Sequence, residues 1–145
     1  MPTKKQSVAT PFASEAVASV YASQPEPQRA SLLALRALLF DLAGQLDPVG
    51  QVDESLKWGS PSYVSTTPRV GTPIRLDRVT NSDVDVGVFV HCQSRVVEHF
   101  RLVHADTYRL DGTRGLLLNA HEDLPKDAVV DFMSLVLTYH TRAAS

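Results

Sequence analysis

Two hydrophobic periods divide the chain. Leu32, Leu35, Leu39, Leu42 and Leu46 recur at steps of three and four residues, which lines one face of an α-helix ending near Gly44. From about Val52 the period falls to two. It is cleanest where Val84, Val86, Val88 and Val90 alternate with Asp85, Gly87, Phe89 and His91. Strands are predicted over residues 52–58, 62–65, 72–79 and 85–92. In the first of them Leu56 and Trp58 flank Lys57 in the alternation of a half-buried strand. The helical period returns after Pro125, where Val129, Phe132, Met133, Val136 and Leu137 share one face and Asp127 favours the helix dipole.

The remaining elements follow from punctuation. Thr10-Pro11 reads as an N-cap followed by proline at the first helical position, and predicts a short helix to about Ser23. Phe12, Ala16, Val17, Val20 and Tyr21 would face inward. Pro25 and Pro27 end that helix, and Pro27 can open the leucine-rich one. Ser94 is placed to cap a third helix over residues 95–103 that presents Val96, Val97, Phe100 and Val103. Two further strands, residues 107–110 and 115–119, are joined by Asp111-Gly112-Thr113-Arg114. Asp-Gly marks a hairpin because it tolerates positive φ. Short connections favour antiparallel pairing. The expected fold is therefore α+β: a single, mainly antiparallel five- to six-stranded sheet with helices packed mostly on one face. Residues 1–9 are polar and aperiodic and are expected to form a flexible tail ahead of a single domain, 10–145.

Composition narrows the function classes. The 145 residues are 43% hydrophobic and 21% charged, as expected of a packed core rather than a disordered chain. A net charge of −2 supplies no general field for nucleic acid or anionic membranes. Cys92 is the single cysteine, which excludes an internal disulfide and a CxxC motif. Lys4 and Lys5 are followed by no continuous apolar stretch, and the window from Leu32 to Phe40 is too short to span a bilayer. A cytoplasmic location is expected, with neither nucleic acid nor membrane as partner.

No catalytic motif is apparent. There is no GxSxG and no HExxH, and Gly71-Thr72-Pro73 lacks the lysine of a phosphate loop. His91 and Cys92 are strand neighbours and point to opposite faces, so a Cys–His pair is not expected and Cys92 reads as buried and inert. His99 and His104 lie five apart, off the spacing that lets two imidazoles on one helix share an ion; no metal ligand and no cofactor is assigned.

Ten of the 14 basic residues are arginine, among them Arg69, Arg75, Arg78, Arg101, Arg109 and Arg114. Arginine binds carboxylate or phosphate bidentately and stacks on aromatics. Trp58 and Tyr63 flank a Gly-Ser-Pro turn and either close the sheet onto its helices or wall a pocket. If Arg75 and Arg114 share a sheet face with Trp58, they frame a site for a small anion. Otherwise they pair with Asp77, Asp85, Asp106 or Asp111 on a solvated surface.

The run Glu54 to Tyr63, then Gly71-Thr72-Pro73-Ile74-Arg75, His91-Cys92-Gln93, Phe100-Arg101, Gly112-Thr113-Arg114 and Tyr139-His140 together resemble the YdhG-like family of domains of unknown function, over about residues 15–141. The resemblance implies a small bacterial cytosolic α+β protein, loosely frataxin-like, with no agreed reaction. It also implies an iron-chaperone alternative, although the first two helices carry only Glu15, Glu26 and Asp41 where a frataxin-type donor has an acidic helix. The leading expectation is a domain that binds a small anionic molecule without an evident catalytic centre, through Trp58, Tyr63, Arg75 and Arg114. A metal chaperone and a protein-interaction module are the alternatives.

Overall fold

The computed structural model describes residues 10–46, 49–91, 94–105 and 107–140. Helices α1 (Glu15–Ala22) and α2 (Gln28–Gln45) lead into strands β1 (Val52–Lys57), β2 (Ser60–Ser65), β3 (Ile74–Arg78) and β4 (Asp85–Phe89). Helix α3 (Val96–His104), strands β5 (Leu110–Asp111) and β6 (Gly115–Asn119), and helix α4 (Lys126–Leu137) complete the chain. The six strands form one sheet in the order β1-β2-β3-β4-β6-β5, every neighbouring pair antiparallel. This is the expected α+β architecture.

Register explains which face is covered. Tyr63 pairs with Ile74, Leu76 with Val88, and Val86 with Leu118, so these residues project to one side. All six are buried, as are Leu35 and Leu39 of α2, Phe100 of α3, and Val129, Phe132 and Val136 of α4. The leucine stripe of α2 is thus a core face. No helix among the described residues is long and apolar enough to cross a membrane.

Four local expectations are corrected. Helix α1 begins at Glu15, not at Pro11, and Ser14 is its N-cap, its Oγ accepting from the Val17 N–H at 3.2 Å. Residues 10–13 are held away from helix by other partners: Arg36 donates to the Thr10 and Pro11 carbonyls, and the Ala13 N–H donates to Glu54. Phe12 and Ala16 are accordingly exposed. Trp58 does not continue β1. Trp58 and Gly59, with φ of 51° and 81°, form the two-residue connection between paired Lys57 and Ser60, so the alternation stops one residue earlier than the sequence implies. Helix α3 starts at Val96 with Arg95, not Ser94, at the cap position. Its buried stripe runs through Val97, Phe100 and half-buried His104, which turns Val103 out to 76% exposure. Finally, the strand expected over 107–110 shrinks to Leu110–Asp111, because Tyr108 is drawn into ring contacts with Phe100 and His104. The tail expected for residues 1–9 and the role expected of Cys92 lie outside the described residues.

Candidate functional site

The helices leave the other face of the sheet uncovered. One register row crosses all six strands on that face: Ser55, Ser62, Arg75, Phe89, Gly115 and Asp111. Beside it run Lys57, Ser60, Asp77, Gly87 and Leu117. An aromatic among such small and charged neighbours is conspicuous, and two glycines explain how it is seated. A Cβ built at Gly87 would collide with the Phe89 ring, and one at Gly115 would meet the Val88 carbonyl at 2.5 Å and the same ring at 2.9 Å. The ring occupies the space that those two missing side chains leave against the sheet.

Around Phe89 lies a concavity of about 270 Å³ lined by Arg75, Arg78 and Arg114, with Asp77 and Asp111. The Arg75 guanidinium stands over the Phe89 ring, 5.8 Å from its centroid, near the outer limit of about 6 Å for a cation–π contact. Arg114 is delivered by the β5–β6 turn. Gly112 supplies a φ of 52°, the Arg114 N–H donates to the Asp111 carbonyl at 2.7 Å, and the Arg114 carbonyl accepts from Val90 N–H at 2.7 Å. The last bond ties the turn to the strand that carries Phe89. Both oxygens of Asp77 are engaged, Oδ2 by the Ser60 hydroxyl at 2.5 Å and Oδ1 by the Arg78 N–H at 2.8 Å. None of the ion pairs among the described residues includes Arg75, Arg78 or Arg114. Arg109, by contrast, makes a forked contact to Asp85 at 2.8 and 3.2 Å, which holds the Asp85 carboxyl below the usual carboxylate range.

The four residues singled out from the sequence therefore separate. Arg75 and Arg114 line one concavity. Trp58 sits outside it, 93% exposed at the tip of the β1–β2 hairpin. Tyr63 is on the opposite face of the sheet, fully buried under the helices, and its assignment to the same site is corrected. Its hydroxyl donates to Glu54 Oε2 at 2.6 Å and pairs with the Tyr21 hydroxyl at 2.5 Å. Burial, together with the neighbouring tyrosine and the Glu54 carboxylate, raises the Tyr63 pKa far above its ordinary value. Phe89 was missed. The signal for Phe89 was present as an aromatic on the polar side of the β4 alternation, flanked by a strand glycine, which often marks a close approach.

His104 Nε2 lies 2.9 Å from Asp131 Oδ2, and the imidazole stacks on Phe100. Among the described residues, no three His, Cys, Asp or Glu side chains converge as a metal site would require. Comparison with family models, with curated proteins and with solved structures returns no match.

Proposed function

We propose that this is a YdhG-like small-molecule-binding domain whose open sheet face holds a small anion between Arg75 and Arg114, with Phe89 as the apolar wall. The observation that carries the reading is the convergence of Arg75 and Arg114, neither of which forms an ion pair among the described residues, on one concavity that also offers an aromatic surface. Ligand sites combine an apolar wall with a few converging polar groups, and guanidinium forks match carboxylate and phosphate geometry. Asp77 shares this lining, but both of its carboxylate oxygens already accept hydrogen bonds, from the Ser60 hydroxyl and the Arg78 N–H. The reading requires no catalytic group, and none is assigned.

A second reading has its own support. Trp58 is exposed at a hairpin tip, and Leu102 and Val103 are exposed on α3. Exposed large apolar side chains of this kind suit a protein-interaction module.

Calorimetric titration of the intact chain with acetate, benzoate and inorganic phosphate tests the first reading. At least one of these should bind, and Arg114→Ala should weaken that binding about tenfold or more, as loss of a charged hydrogen bond does. Heats indistinguishable from dilution for all three, or unchanged affinity in Arg114→Ala, would refute it.

A further inference from the structure

Resting on that reading, we infer that the ligand is a planar aryl carboxylate, its ring stacked on Phe89 and its carboxylate taken by the Arg75 and Arg114 guanidiniums. Three observations lead from "anion" to this class.

The first is the platform. Phe89 is the aromatic of the open-face row, and it lies where the side chains of positions 87 and 115 would stand. Glycine inside a strand weakens the strand, and here two glycines flank one ring. The result is an aromatic surface, two strand positions from Leu117's row, in a face otherwise built mainly from serines, glycines and charged residues. Rings prefer offset-stacked or edge-to-face partners, so such a surface favours a planar unsaturated ligand over a saturated one of equal size.

The second is size. At about 270 Å³ the concavity falls just below the range of roughly 300–1,000 Å³ typical of sites for drug-sized ligands. A single ring with one short acidic substituent is of the right scale, whereas a dinucleotide is too large.

The third is charge. On the open face the guanidiniums of Arg75 and Arg114 stand against the carboxylates of Asp77 and Asp111, so the lining carries no surplus positive charge. That favours a monoanion such as a carboxylate over a phosphate dianion, whose second charge would face the two aspartates. Ser60 and the Arg78 backbone fix Asp77 in place, so it does not swing away to relieve that repulsion.

The test compares benzoate, cyclohexanecarboxylate, acetate and inorganic phosphate on the intact protein, by calorimetry and by ligand-observed NMR. Benzoate should bind about fivefold tighter than cyclohexanecarboxylate, the scale that aromatic pairing adds beyond burial. Its ring protons should shift upfield in the complex. Phe89→Leu should abolish both the preference and the shift while retaining weak carboxylate binding, and Arg114→Ala should weaken both carboxylates alike. Should Phe89→Leu fail to fold, the ring-current shift in the wild-type protein decides alone. Equal affinity for benzoate and cyclohexanecarboxylate, or phosphate binding tighter than benzoate, overturns the aryl carboxylate and leaves the anion site standing. Absence of binding by every probe overturns both.

Discussion

Arg36 and Arg75 lie on opposite sides of the sheet and show two uses of one side chain. Arg36 is enclosed. Its guanidinium donates to Glu54 Oε2 at 2.6 Å and Oε1 at 3.0 Å, and reaches the carbonyls of Thr10 and Pro11 at 2.8 and 3.1 Å. The rings of Phe12 and Phe40 lie 4.3 and 4.8 Å from it. Glu54 in turn accepts from Tyr63 and from the Ala13 N–H. Among the described residues, Arg75 has one weak aromatic contact, to Phe89, and lines an open concavity. Both arginines follow an apolar residue in sequence, so nothing local separates them. The difference is made by distant partners: a carboxylate 18 residues away and a backbone segment 25–26 residues away satisfy Arg36, whereas Arg75 shares its concavity with Arg114, Asp77 and Asp111 and forms no ion pair among the described residues.

The largest expected effect tests the enclosed side. Glu54→Ala leaves the Arg36 charge buried without its partner and should cost about 3–5 kcal/mol of stability in chemical denaturation, as breaking a buried ion pair does. A loss below about 1 kcal/mol would mean that Arg36 reaches solvent.

Leu39→Ala supplies an apolar yardstick in the same layer. Leu39 is fully buried, and the cavity should cost about 2–5 kcal/mol. This loss should not vary with pH, which separates it from the Glu54 effect.

Acid sharpens that contrast. Burial opposes the Glu54 carboxylate, but hydrogen bonds from Arg36, Tyr63 and the Ala13 N–H outweigh it and hold the Glu54 carboxyl below its ordinary value. A depressed folded-state pKa stabilises the fold above the unfolded value of about 4.3. That contribution disappears as pH falls through the lower folded value. Glu54→Gln should therefore flatten the acid limb of a stability–pH curve measured from pH 7 downward, and an unchanged limb would count against the network.

The smallest effect belongs to the open side. Arg114→Ala should change stability by no more than about 0.5 kcal/mol, because Arg114 is exposed and makes no ion pair among the described residues. A loss above 1 kcal/mol would show that Arg114 supports the fold rather than a ligand.

The layers were readable in the sequence, and the long-range pairings were not. Leu35 and Leu39 in α2, Phe132 and Val136 in α4, and Val86 and Val88 in β4 follow from periodicity alone, because one buried face imposes its repeat on the chain. Residues 10–13 resemble a helix start until Arg36 and Glu54 take their backbone groups, and those partners lie in other elements. Tyr63 and Arg75 are both strand residues beside turns, yet register sends them to opposite faces, and a one-residue difference in phase is enough to do so. Arg114 was legible because the Asp-Gly turn that carries it is a local signal. Phe89 gains its meaning only when Gly115, 26 positions later, comes to lie beside it.

Trp58 is the sole tryptophan, and it stands almost wholly in solvent on a two-residue turn. Its indole emission in the folded chain should accordingly be close to that of a peptide in water, and unfolding the core should change the fluorescence signal little. Stability measurements on this protein call for far-ultraviolet circular dichroism or for the buried tyrosines Tyr21 and Tyr63. The same exposure makes Trp58 a single-site handle. Collisional quenchers such as iodide and acrylamide reach it in the native state, and a partner that seats on the hairpin tip would announce itself by shielding it.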